Sequence, residues 1–102
     1  MAANVHAALD RLLQVAESDT GQSRRCAAFL LAWWNARDCG GFDFTDLWNV
    51  DQSLADDMVT VFARISRVSE YPDKDLYGER FENLVRCWRP ELVAPQNERV
   101  AG

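Results

Sequence analysis

Leu54-Ala55-Asp56-Asp57-Met58-Val59-Thr60-Val61-Phe62-Ala63-Arg64-Ile65-Ser66-Arg67-Val68 decides the fold. Leu54, Met58, Val61, Phe62, Ile65 and Val68 recur at i, i+4, i+7, i+8, i+11 and i+14, the period of one helix face. Asp57, Thr60, Arg64 and Arg67 fall on the opposite, polar face. Asp51 or Ser53 caps this helix, with Asp56 three residues after Ser53 in a near capping box. Upstream, Asn4 caps a helix over residues 5–18 with the stripe Val5, Leu9, Leu12, Leu13 and Ala16. Residues 22–37 carry Cys26, Ala27, Phe29, Leu30, Leu31, Trp33 and Trp34 on more than one face, which predicts a central helix packed on two sides. Gly40-Gly41 stops it. Thr45 caps a short turn holding Leu47 and Trp48. Pro72 breaks the helix of the opening stretch, and a further helix spans residues 76–88, with Tyr77, Phe81, Leu84, Val85 and Trp88 inward and Glu82 paired with Arg86. No alternating β-branched run occurs. The expected fold is all-α, a compact single-domain bundle of four main helices plus one short helix.

The chain has 102 residues, 48% of them hydrophobic and 26% charged, which gives one domain. Folding at this length buries about two thirds of the chain's surface, enough for one core without staples. That core is expected over about residues 5–89, with residues 91–102 as a flexible tail. No apolar run reaches the ~20 residues that span a bilayer. The start, MAANVHAALDRLL, has no basic n-region and carries Asp10 in its apolar stretch, so it does not read as a secretion signal. His6 is the single histidine, and Cys26, Cys39 and Cys87 form no CxxC pair, so a zinc site lacks ligands. Three cysteines point to a reducing cytoplasm rather than a disulfide framework. Cys26 and Cys87 read as core thiols. Cys39, beside Gly40, reads as a packed turn residue rather than a nucleophile, its exposure left open.

The net charge of −5 is local. Asp43, Asp46, Asp51, Asp56 and Asp57 lie in one window without Lys or Arg, and the rest of the chain balances to zero. The window is not a calcium loop. Counted from Asp43, Leu47, Trp48 and Leu54 stand at positions 5, 6 and 12, where an EF-hand needs a ligand, Gly and Glu. Helix capping accounts for individual members. As a group they form a negative patch suited to a basic partner, with Trp48 as its apolar anchor. Trp33 and Trp88 fit core stripes, whereas Trp34 and Trp48 stand open between core and partner. The bases are dispersed; Arg24, Arg25, Arg64 and Arg67 are the alternative, nucleic-acid-contacting set, with Arg24 and Arg25 also placed to pair with the aspartates. A net-acidic chain repels phosphate, which disfavours that alternative. No P-loop, GxGxxG, GxSxG or HExxH motif occurs, so the expectation is a protein that is not an enzyme and takes no metal or cofactor.

Seven strings carry a resemblance: Ser18-Asp19-Thr20-Gly21-Gln22-Ser23, Trp33-Trp34-Asn35, Cys39-Gly40-Gly41-Phe42-Asp43, Asp46-Leu47-Trp48-Asn49-Val50-Asp51, Ala55-Asp56-Asp57-Met58, Tyr71-Pro72-Asp73 and Trp88-Arg89-Pro90. Over about residues 9–93 the chain resembles a family of small proteins carried on integrative, conjugative and phage-like elements of proteobacteria. The resemblance implies a bacterial cytoplasm and a mobile genetic element. By analogy with other small acidic proteins of such elements, it implies a module that binds and modulates a host factor. The sharpest form of that expectation is an anti-CRISPR inhibitor of a type I CRISPR-Cas system, binding a Cas protein or complex through a basic surface. The alternatives are a DNA-associated regulator and a structural accessory of the element.

Overall fold

The structure, a computed structural model, describes residues 3–93. Among them it is all-α. The elements are α1 (Ala3–Ala16), α2 (Gly21–Cys39), a 3-10 helix (Phe44–Asn49), α3 (Gln52–Arg67), α4 (Lys74–Trp88) and a short 3-10 turn (Pro90–Leu92). The four main helices and the short one of the sequence reading are all present. The tail expected over residues 91–102 begins with that second turn, and residues 94–102 lie outside the described residues. No described helix is long and apolar enough to cross a membrane.

α1 is the hub. Its stripe Val5, Leu9, Leu12, Leu13 and Ala16 is buried, as is Ala8, and the helix packs against both α2 and α3. Each fully buried leucine there contributes about 2 kcal/mol of transfer free energy. α2 packs on two sides, as its apolar faces predict, against α1 and α4, while α2 and α3 scarcely touch. The remaining apolar side of α2 therefore has no helix over it.

End-to-end contacts fix the directions. Trp88 Nε1 donates to Ala16 O at 2.9 Å, and His6 Nδ1 meets the Tyr77 hydroxyl at 2.6 Å, so α1 and α4 run parallel. Arg80 ties them further, reaching both carboxylate oxygens of Glu17 at 3.1 Å and Asp10 at 3.3 Å. Gln22 bonds Asp51 at the start of α2 and α3, and Trp33 Nε1 donates to Glu70 O beyond the end of α3, at 3.1 Å. These two helices therefore run side by side in the other direction. The chain between them must travel back along the length of α2.

Local chemistry sets the breaks. Thr20 caps α2, its hydroxyl accepting from Ser23 N at 3.0 Å. α2 kinks at Asn35 (φ −168°, ψ 79°), whose side-chain oxygen accepts from Asp38 N at 3.2 Å and so caps a final restarted turn. Gly40 then takes φ 96°, ψ 164°, a region open essentially to glycine, and turns the chain. Asp73 caps α4 through bonds from Asp75 N and Leu76 N at 2.9 and 3.2 Å, worth about 1 kcal/mol. α3 starts after Asp51 without a side-chain cap, and the Ser53–Asp56 box does not form; Asp56 accepts from Gln52 at 3.0 Å instead. Arg86 donates to Asn83 rather than pairing with Glu82.

The thiols partly reverse the sequence reading. Cys26 is buried, as expected. Cys39 is buried beneath the turn, with its carbonyl accepting from Arg89 Nε at 2.7 Å. Cys87 is exposed rather than core, because it shares the outer stripe of α4 with Leu76 and Asn83. Burial, with the charge of Asp57 adding to it, pushes the Cys26 thiol up to about 11. Burial also raises Cys39, partly opposed by Arg89. A thiol-disulfide reagent at neutral pH is therefore expected to titrate one cysteine in the folded protein and all three in urea. Two fast native thiols would contradict this packing.

Candidate functional site

The return path from α2 to α3 builds the most distinctive surface of the molecule. Phe42, Phe44 and Leu47 of this segment turn toward the gap between the two helices. Phe44 and Leu47 share a face because a 3-10 helix repeats every three residues. Phe42 packs edge-on against Phe29 of α2, with ring centroids 5.4 Å apart. From α2, Ala32 and Trp33 continue that wall. From α3, Met58, Val59, Phe62 and Ile65 close the other side. The result is an open apolar groove of about 540 Å³, within the ~300–1,000 Å³ typical of sites that enclose ligands.

Two features of the sequence meet here. The apolar side of α2 left over from α1 and α4 lines the groove. In α3 the single stripe splits: Leu54, Met58 and Val61 are buried, while Phe62 is 55% exposed and Val59, off the stripe, is 60% exposed. Val59 and Phe62 are one turn apart and form a second apolar strip, continued by Phe44 at 73% exposure. The sequence reading did not name Phe44, Val59 or Phe62 as site residues. The i, i+3 spacing of Val59 and Phe62 was the available signal.

The five aspartates do not form one patch. Asp43 lies between the lining residues Phe42 and Phe44, exposed. Thr45 donates to its carboxylate from both Oγ1 (2.8 Å) and backbone N (2.9 Å), holding its carboxyl below the ordinary value and fully ionised at neutral pH. Asp43, rather than Thr45, is thus the cap of the 3-10 helix. Asp56 is exposed one turn before Val59. Asp46 pairs with Arg25 at 3.7 Å, and Arg25 also donates to Asn49 O at 3.2 Å. Asp51 is occupied by Gln22. Asp57 must be corrected outright: it is 7% exposed, not on an open face, and receives both Nε (2.9 Å) and Nη2 (2.8 Å) of Arg11 from α1. Trp48 is 81% exposed, but stands off the face that Phe44 and Leu47 share.

The Arg11–Asp57 pair makes a checkable contrast. Arg11→Met alone leaves an uncompensated carboxylate at the α1/α3 contact, whereas Arg11→Met with Asp57→Leu removes both charges. The single variant is expected to show the larger fall in urea midpoint, and the double variant to recover most of it. A double variant less stable than the single would show that the ion pair itself carries the contact.

The alternative basic set is not brought together. Arg24 and Arg25 sit at the start of α2 and Arg64 and Arg67 at the far end of α3, opposite ends of the parallel pair. Arg25 is engaged as described and Arg64 lies 3.9 Å from Glu70.

The chain belongs to the family of unknown function DUF7673. The match covers residues 6–89, so all three walls of the groove lie inside it. No curated protein and no solved structure matches the chain. DUF7673 membership brings no activity with it, and the geometry of the groove carries the functional reading.

Proposed function

We propose that this DUF7673 chain is a protein-interaction module that binds and modulates a host factor, with the α2/α3 groove and the carboxylates of Asp43 and Asp56 as its contact surface. The observation that carries this reading is the open apolar groove itself, with Phe44, Val59 and Phe62 presented to solvent at its mouth. Exposed apolar side chains gathered beside a concave apolar wall are the usual mark of an interaction site. The charged neighbours supply orientation and selectivity for a basic partner.

The sharper form of the proposal is an inhibitor of a type I CRISPR-Cas system, acting in the bacterial cytoplasm without catalysis. Its support is the resemblance to mobile-element proteins, joined to two carboxylates beside the groove, Asp43 and Asp56, that have no cationic partner among the described residues. The test is phage plating on a host with an active type I system. Expression of the chain is expected to restore plaques, and Asp43→Lys with Asp56→Lys is expected to abolish most of that effect while circular dichroism stays unchanged. Plating unaffected by the wild-type chain would refute the inhibitor form, and full activity of the charge-reversed variant would refute the acidic contact.

A further inference from the structure

We infer that the groove takes one amphipathic helix of a partner protein, presenting apolar anchors along one face and Lys or Arg beside them. This rests on the interaction reading above and names the occupant of that surface.

The packing indicates a helix. α1 touches both α2 and α3, yet those two parallel helices scarcely touch each other. The return segment fills the gap only in part, and what remains is a position for one more helix against Phe29 and Val59. This is the helix-in-groove mode of recognition, which needs apolar anchors spaced at i, i+3 or i+4, and i+7. No strand edge exists among the described residues to pair with an extended peptide.

The lining argues against a small molecule. Such sites set a few polar groups among apolar walls to fix the ligand's orientation. Here every lining residue is apolar or aromatic, and the indole nitrogen of Trp33 is already committed to Glu70 O. The charge argues against a second copy of the chain. A two-fold contact through the same patch would bring Asp43 and Asp56 toward their own equivalents. Neither carboxylate has a cationic partner among the described residues, while Asp46 and Asp57 are matched by Arg25 and Arg11. Uncompensated acid beside an apolar slot is complementary to a basic amphipathic helix.

A random 16-residue peptide display library panned on the full chain tests this, with Val59→Glu/Phe62→Glu as the counter-selection protein. Both positions are more than half exposed, so the variant is expected to fold, which circular dichroism checks. The expected result is enrichment of peptides with helically spaced apolar residues flanked by Lys or Arg. A synthetic copy should gain helix on binding, bind the double-Glu variant at least tenfold more weakly, and bind Asp43→Asn/Asp56→Asn several-fold more weakly. Proline-rich or acidic peptides that depend on Val59 and Phe62 would overturn the helix while leaving the groove as an interaction site. Peptides indifferent to the double-Glu variant, or no enrichment, would overturn both. A dimer in sedimentation that Phe62→Glu dissociates would assign the groove to a second copy instead.

Discussion

Replacing Phe81 by alanine is expected to lower the unfolding free energy by about 3–5 kcal/mol, the range for truncating a fully buried aromatic. Phe81 has no exposed surface. Its ring stacks on Trp34 (centroids 5.1 Å, 15° between planes) and meets Trp33 edge-on (6.2 Å, 86°). It thus plugs α4 into the two tryptophans of α2, where such pairs add to the area term. Neither indole can fill the void: Trp33 is tied to Glu70 O, and Trp34 precedes the kink at Asn35. Domains of this size have roughly 5–15 kcal/mol in hand, so the variant should lose a large share of its stability. Urea unfolding should show a lower midpoint at nearly constant slope. A loss below about 1 kcal/mol would mean that α4 does not dock on α2 through this ring.

The second large effect has the opposite character. Val59→Glu with Phe62→Glu should change stability little, since exposed substitutions usually stay within about 0.5 kcal/mol each. Its consequence falls on the complex. The apolar anchors of the incoming helix would then meet two carboxylates in place of Val59 and Phe62, and burying a polar group against apolar surface costs several kcal/mol. A penalty of about 2–4 kcal/mol corresponds to roughly 30- to 1,000-fold weaker binding. Titration calorimetry with the bound peptide reads this directly. A variant that binds as tightly as the parent would remove the groove from the interaction.

The elements of the fold were legible because their signals are local. The α3 stripe, the α1 stripe, the Gly40 stop and the Pro72 break each depend on residues within a few turns. Asp57 was not legible for the opposite reason. It borders the stripe of Leu54, Met58 and Val61, and an acid there reads as solvent-facing until Arg11, 46 residues away, is known to cover it. Cys87 misled because it adjoins Trp88 in sequence, yet it lies about 120° around α4 from Phe81, on the stripe of exposed Leu76 and Asn83. The groove was half legible. The excess apolar surface of α2 was visible, but packing on two sides, against α1 and α4, does not use all of it. Only the path of residues 40–51, forced back along α2 by the parallel start of α3, reveals that the surface stays open.

Amide chemical-shift mapping of the chain with the peptide bound tests the docking geometry most directly. A helix seated in the groove should shift Phe42, Phe44 and Leu47 on one wall together with Val59 and Phe62 on the other, with Asp43 moving most among the acidic residues. Shifts confined to α4 or to the outer face of α1, with these walls unmoved, would contradict it.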